Sequence, residues 1–138
     1  KYFNDMASEA GVNDRVEFLG QKNHDEVIDL VSRSFLGFAL YTLENSWNYY
    51  GDSMKAREYV ACGVPVIIND VPSTADDIRK YEAGLVLHKV NGEEIYSFVR
   101  TCLLDKNYYL KLRNNALNLG REFDKEKILY QLLPFLNE

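Results

Sequence analysis

Residues 51–55 combine the residue types that bind phosphate. The segment reads Gly-Asp-Ser-Met-Lys and stands where a helix is predicted to begin. Glycine allows close backbone approach, the first turn of a helix exposes unpaired N–H groups that attract anions, and lysine adds positive charge. The candidate phosphate-binding residues are therefore Gly51, Asp52, Ser53, Met54 and Lys55.

The same segment also suits a purely structural role. In that interpretation Asp52 or Ser53 is the N-cap of the helix, and Lys55 is solvated or paired with Glu58. Helix caps are much commoner than anion sites, so the segment taken by itself favours the structural interpretation.

Glu58 adds a second chemical group to this helix. Helical spacing puts it on one stripe with Met54, Ala61 and Cys62, which are otherwise apolar. A carboxylate on such a stripe is costly unless it is hydrogen-bonded or has a function. In that position it is able to accept hydrogen bonds from two vicinal ribose hydroxyls.

The elements that position these residues are predicted to alternate between strand and helix. Apolar runs typical of strands covered on both faces predict a parallel sheet with helices on both sides, which is an α/β fold. The predicted strands are residues 15–19, 35–41, 64–68 and 85–87. Ligands of such sheets bind beyond the carboxyl ends of the strands. The loops there are residues 20–23, 42–51, 69–73 and 88–91.

Caps and glycines predict where the helices begin and end. Asn23 or His24 is predicted to cap one helix, and Ser73 with Asp76 resembles a capping box that opens another, ending near Glu82. Three amphipathic helices are predicted after residue 90 from apolar positions at 95–103, 109–116 and 128–136. The predicted helix stops are Gly11, Gly63 and Gly84.

Residues 42–51 form a predicted loop that is long for a strand-to-helix connection. It concentrates three aromatic side chains, those of Trp47, Tyr49 and Tyr50. Loops of this length in compact α/β units are usually functional.

Length and composition fit a single domain over residues 1–138. The chain is 46% hydrophobic with a formal net charge of −5, which excludes a disordered chain or a disulfide scaffold. The longest apolar run, residues 35–41, is far short of the roughly 20 residues of a membrane-spanning helix. The acidic balance argues against non-specific binding to nucleic acid or anionic membranes.

The cysteines and histidines favour ordinary structural roles. Cys62 and Cys102 lack the spacing of a zinc or redox motif, so we expect reduced thiols and a cytoplasmic protein. His24 and His88 lack a second ligand at metal spacing, so we expect capping or surface roles and no metal site. A helical pattern that begins at Lys1 suggests an excerpt from a longer protein.

Three segments resemble motifs of the GT-B-fold retaining glycosyltransferases, of the large group-1 or family-4 type. Residues 55–67, Lys-Ala-Arg-Glu-Tyr-Val-Ala-Cys-Gly-Val-Pro-Val-Ile, resemble the signature Lys-x-x-Glu-Tyr-x-Ala-x-Gly-x-Pro-Val-Val. Residues 15–20, Arg-Val-Glu-Phe-Leu-Gly, resemble the Arg-Val-x-Phe-Leu-Gly element, and residues 83–87, Ala-Gly-Leu-Val-Leu, resemble the x-Gly-Leu-Leu-Val strand. The motifs run in family order over most of the chain, but they do not indicate the sugar.

The resemblance implies that the chain is most of the C-terminal, donor-binding half of a two-domain enzyme. Its fold would be the Rossmann-like half of a GT-B fold lacking its first strand, which would precede Lys1. Glu58 matches the second glutamate of the family's Glu, seven residues, Glu motif, which typically holds the donor ribose. The first glutamate falls at Tyr50, a departure for which Glu44 or Asp52 are the available substitutes.

The resemblance also implies how a donor would be held. Lys55 and the amides of Ser53 and Met54 are the candidates for stabilising the diphosphate leaving group. The N-terminal acceptor-binding domain would be the partner of this half, so the segment alone is expected to bind donor weakly and to transfer nothing. The turn that passes near the nucleobase in relatives corresponds to Gly20, Gln21 and Lys22.

The leading hypothesis is a hexosyltransferase that uses a nucleotide-diphosphate sugar, with no other cofactor, and a saccharide or lipid-linked acceptor in polysaccharide or glycan biosynthesis. The full enzyme would be cytoplasmic, with peripheral association at the inner face of the membrane as an option. The alternatives are a sugar-nucleotide 2-epimerase of the same architecture and a non-catalytic α/β scaffold, for which Tyr50 is the best argument.

Overall fold

The computed structural model describes residues 2–42, 44 and 46–132, which form eight α-helices and three strands. The strands are β1 (Gly37–Ala39), β2 (Val66–Asn69) and β3 (Gly84–Leu87). The helices are α1 (Tyr2–Glu9), α2 (His24–Ser32), α3 (Ser46–Tyr50), α4 (Met54–Ala61), α5 (Thr74–Tyr81), α6 (Gly92–Leu104), α7 (Lys106–Glu122) and α8 (Lys125–Leu132).

The three strands form one parallel sheet in the order β1-β2-β3. Helices α3 and α4 connect β1 to β2, and α5 connects β2 to β3. Parallel neighbours need such crossovers, because the chain must return to the start of the sheet before the next strand. The predicted α/β architecture with a parallel sheet is confirmed.

Two hydrophobic cores lie on the two faces of the sheet. Strand β2 is buried along its whole length, with Val66 and Ile68 in one core and Ile67 in the other. Helix α7 contributes to both, through Leu112 in one core and Leu119 in the other. The apolar run in β2 is thus explained by burial on both faces, as the sequence predicts.

Several local signals at helix ends are confirmed. The Asn23 side chain accepts a hydrogen bond from the Glu26 amide, and the Glu26 carboxylate accepts one from the Asn23 amide, which completes a capping box at α2. Ser53 is the N-cap of α4. Gly11 and Gly63 take positive φ angles of 66° and 69° just beyond α1 and α4.

The predicted strand at residues 15–19 is wrong. A 3₁₀ turn occupies Asn13–Arg15, and the segment that follows pairs with no strand within the described residues. Val16, Phe18 and Leu19 are exposed. Alternation predicts an extended conformation, but a strand also requires a hydrogen-bonding neighbour.

The prediction for residues 35–41 is only partly right. Strand β1 is limited to Gly37–Ala39, and Phe38 is 47% exposed, so the strand is not covered on both faces. The loop predicted at residues 42–51 contains the short helix α3. Residues 43 and 45 of that loop lie outside the described part of the chain, as do Leu133 and Leu136 of the last predicted helix.

The bounds of α5 agree with the prediction, but the interactions predicted at its two ends are wrong. Ser73 is the N-cap residue but its side chain makes no capping hydrogen bond, so the predicted capping box is absent. The helix ends at Tyr81, and Glu82 adopts the left-handed conformation with φ 52°. Gly84 is therefore not the helix stop; it begins β3, where its backbone lies directly against Val66.

The close approach at Gly84 yields a stability prediction. A Cβ at this position would overlap the Val66 backbone, which is held in the centre of the sheet. Gly84→Ala is expected to lower the free energy of unfolding by about 2–3 kcal/mol, measured by urea denaturation. Gly92→Ala is the control, because a Cβ there meets no atom within 4 Å. Equal stability of the two variants would contradict the packing.

Candidate functional site

The start of the candidate loop is held by a side chain at the end of β2. Asn69 is 6% exposed, and its amide pairs with both backbone groups of Tyr41. The Tyr41 N–H donates to Asn69 Oδ1 at 2.8 Å, and Asn69 Nδ2 donates to the Tyr41 carbonyl at 2.7 Å. The loop therefore leaves the sheet in a defined direction although β1 has already ended.

Ser53 connects that loop to helix α4 and is 1% exposed. Its Oγ accepts a hydrogen bond from the Ala56 amide at 3.2 Å and lies 2.7 Å from the Tyr41 hydroxyl. Its own amide donates to Thr74 Oγ1 at 2.9 Å. The capping interpretation is thus correct for Ser53. The amides that follow in the first turn, those of Met54 and Lys55, have no helical acceptor by position.

Asp52 is engaged by two neighbours rather than serving as the cap. Thr74 Oγ1 donates to Asp52 Oδ1, and the Arg57 guanidinium pairs with Asp52 Oδ2. The Arg57 guanidinium also lies over the Phe123 ring, 4.4 Å from its centroid. Arg57 therefore balances the negative charge that Asp52 places near the start of α4.

Lys55 lies beside the aromatic ring that precedes the loop. Its Nζ is 5.0 Å from the centroid of the Tyr41 ring, a cation–π distance. The sequence left solvation or pairing with Glu58 open for this lysine. The structure instead gives its ammonium group an aromatic neighbour, at an exposed position in the first turn of α4.

Glu58 lies one turn further along α4, with 30% of its side chain exposed. Together with Met54 and Arg57 it lines a groove of about 510 Å³ between α4 and the end of α7. Met54 is 65% exposed, so the predicted apolar stripe lies at the surface rather than in the core. The carboxylate is therefore accessible and does not carry the cost of full burial.

The negative charge of Glu58 acts on its neighbours. Burial raises the pKa of the Tyr59 hydroxyl, and the Glu58 carboxylate and Tyr41 raise it further. Burial and then Glu58 also raise the pKa of the Cys62 thiol. Both shifts favour the neutral form of these groups beside the carboxylate, and Cys62 is a free thiol, as the sequence predicts.

The turn formed by Gly20, Gln21 and Lys22 lies at the mouth of a second cleft. Gly20 has a φ angle of 69°, which favours glycine. Gly20 and Lys22 line a cleft of about 450 Å³, whose other walls include Phe38 and Tyr59. Tyr59 follows Glu58 directly, so helix α4 contributes to both clefts. Gln21 is exposed.

The structure places Tyr50 at the end of α3 with 82% exposure. Gly51 follows it, and the Ser73 amide donates to the Gly51 carbonyl at 3.3 Å. The two residues named as substitutes for a glutamate at Tyr50 differ in their surroundings. Glu44 is exposed, whereas the Asp52 carboxylate is occupied by Arg57 and Thr74.

The sequence did not predict that His24 lies close to Glu58. Asn23 is the cap of α2, and His24 is its first residue, with Nδ1 3.8 Å from Glu58 Oε1. No sequence signal links these positions, because the packing of α2 against α4 brings them together. His88 lies beside Asp70 at 3.9 Å. Within the described residues, no three metal-ligating side chains form a cluster.

Solved structures show where this fold recurs. A sucrose-phosphate synthase from Thermosynechococcus elongatus matches over 98% of this chain at 22% identity and a TM-score of 0.77. WaaG, a glycosyltransferase involved in lipopolysaccharide biosynthesis, matches over 90% at 19% identity and a TM-score of 0.74. At these identities the likeness concerns the fold, and the chain spans 33% and 31% of the two proteins.

The family described as "Glycosyl transferases group 1" matches residues 1–119. The chain belongs to this family, as the motifs of residues 15–20, 55–67 and 83–87 predict. The GT-B type of the fold is confirmed by the two structural relatives. No curated protein sequence matches the chain. Among the helices that the structure describes, none has both the length and the apolar character needed to cross a membrane.

The hydrogen bonds around Ser53 yield a second prediction. Thr74→Val keeps the shape of the side chain but removes the acceptor of the buried Ser53 amide and the donor to Asp52. We expect a loss of about 1–3 kcal/mol in the free energy of unfolding, measured by urea denaturation. Thr101→Val, at an exposed helical threonine, is the matched control. A loss no larger than in that control would contradict this role of Thr74.

Proposed function

We propose that this chain binds the nucleotide-sugar donor of a glycosyltransferase. The whole enzyme would transfer a hexose from a nucleotide-diphosphate sugar to a saccharide or lipid-linked acceptor, in polysaccharide or glycan biosynthesis. Family membership supports the reaction class. The observation that carries the proposal for this chain is the position of Glu58, an accessible carboxylate on the helix whose first turn presents Lys55.

Each part of a nucleotide diphosphate has a candidate partner. The Glu58 carboxylate accepts hydrogen bonds from the ribose hydroxyls. The Met54 and Lys55 amides, the positive end of the α4 dipole and the Lys55 ammonium face the diphosphate. The Ser53 amide is excluded from this set, because it already donates to Thr74. The turn of residues 20–22 receives the base, largely through its backbone.

The leaving group explains why positive charge is needed at this helix. When the bond between the anomeric carbon and the diphosphate breaks, negative charge develops on the diphosphate oxygens. Preorganised N–H groups and a lysine stabilise that charge at little reorganisation cost. The proposal includes no cofactor besides the nucleotide-sugar donor. The acceptor site and the cytoplasmic location belong to the same proposal for the whole protein.

Nucleotide titration tests the donor site. UDP, GDP and ADP are added separately to the ¹⁵N-labelled chain, and one of them is expected to shift the amides of residues 20–22 and 51–58 in a saturable way. Glu58→Gln is expected to weaken that binding by about tenfold, because a charged hydrogen-bond acceptor is lost. Glu94→Gln, at an exposed glutamate in the first turn of α6, is the control.

The outcomes of this titration separate the donor site from a scaffold domain. Shifts confined to the two segments and weakened by Glu58→Gln, but not by Glu94→Gln, support the donor site and identify the base. If none of the three nucleotides shifts these amides, the same titration is made with the whole two-domain protein. No shift there either overturns the donor site and favours a scaffold domain.

Lys55 is tested by comparing a nucleoside with its diphosphate. Lys55→Met is expected to weaken binding of the diphosphate by about 3- to 10-fold and to leave the nucleoside unaffected, because only the diphosphate carries charge near α4. Dissociation constants at low and high salt measure the effect. Lys106→Met, at an exposed lysine that begins α7, is the control. Equal losses for both ligands would contradict the assigned role.

A further inference from the structure

The distance between His24 and Glu58 allows one oxygen atom to bridge the two side chains. Nδ1 of His24 is 3.8 Å from Oε1 of Glu58, which is longer than a direct hydrogen bond. An oxygen placed about 2.8 Å from each atom lies within hydrogen-bond distance of both. Such an oxygen lies to one side of the line that joins the two atoms, so a single hydroxyl or water is able to bridge them from there.

His24 and Glu58 both belong to helices whose starts are well defined. His24 is the first residue of α2, whose start is fixed by the capping box between Asn23 and Glu26. Glu58 is in the middle of α4, whose start is fixed by Ser53. Helix α2 packs against α4. The positions of the two backbones are therefore set by helix packing rather than by a loop.

Both side chains are also accessible to a ligand. The His24 side chain is 71% exposed and that of Glu58 is 30% exposed. His24 follows the turn of residues 20–22, which lines the second cleft through Gly20 and Lys22. The His24 imidazole is thus two positions after the turn assigned to the base and 3.8 Å from the carboxylate assigned to the ribose.

The chemistry of the pair selects a hydroxyl group. The carboxylate only accepts hydrogen bonds, whereas an imidazole N–H donates one. A hydroxyl satisfies both, because it donates to Glu58 and accepts from His24. A phosphate oxygen would be repelled by the carboxylate, and a carbonyl oxygen has no proton to give it.

We propose that His24 and Glu58 jointly bind one hydroxyl of the donor ribose, with His24 as the hydrogen-bond donor. This inference rests on the proposed donor site and adds His24 to it as a binding residue. It predicts that removal of the bridging hydroxyl from the ligand removes the contribution of His24 to the binding affinity.

The test compares ribonucleotides with their deoxy analogues. Dissociation constants of UDP, GDP and ADP and of their 2′-deoxy and 3′-deoxy forms are measured by NMR for the wild-type chain and for His24→Ala. We expect His24→Ala to weaken binding of the preferred ribonucleotide by about 3- to 10-fold. Binding of the analogue that lacks the bridging hydroxyl should not change.

Two variants serve as controls. His88→Ala removes another imidazole that lies near a carboxylate, 3.9 Å from Asp70, and should leave all the dissociation constants unchanged. His24→Gln keeps an N–H donor on the side chain and should restore part of the lost affinity. Thermal melts of all variants verify that the fold is retained.

The outcomes distinguish this inference from the proposed function. Equal losses for the ribonucleotide and both deoxy forms, or no loss at all, would overturn the role of His24. If Glu58→Gln weakens binding and His24→Ala does not, the donor site stands without His24. If none of the three ribonucleotides binds to this chain or to the whole two-domain protein, both proposals are overturned together.

Discussion

The paired hydrogen bonds between Asn69 and the Tyr41 backbone are the interaction on which the candidate site depends. Strand β2 is buried on both faces and cannot shift without disturbing two cores. Asn69 ends this strand and fixes Tyr41, whose hydroxyl contacts the Ser53 cap of α4. The position of the sheet is thereby transmitted to the first turn of α4 through buried and partly buried polar contacts, each of which would be costly to leave unpaired.

The carboxylate of Asp52 is the main electrostatic objection to an anion at this helix. It would repel a diphosphate if it were unbalanced, and it stands two residues before Met54. Arg57 and Thr74 occupy its two oxygens, so the local net charge of the Asp52 and Arg57 pair is zero. The field at the start of α4 is then set by the helix dipole and Lys55. Arg57 thus supports the proposed site by neutralising Asp52.

Local signals predicted the fold better than signals that depend on distant partners. The Asn23 cap, the Ser53 cap and the turn at Gly63 depend on a few consecutive residues, and all are present. The capping box predicted at Ser73 is the local signal that is absent. The strand at residues 15–19 and the role of Gly84 depend on which backbone lies alongside. For residues 15–19, alternation of apolar residues does not indicate which strand lies beside them. For Gly84, the close neighbour is Val66, which is distant in sequence.

The same distinction applies to the site. Lys55 and Glu58 lie in the first turns of one helix, so their placement relative to each other follows from helical spacing. His24 is 34 positions before Glu58, and its sequence context indicates only a residue at a helix start. The two meet because α2 packs on α4, and that contact is decided by tertiary packing rather than by spacing. The part of the proposed site that lies on one helix, Lys55 and Glu58, is therefore evident from the sequence. The part contributed by a second helix, His24, is evident only from the structure.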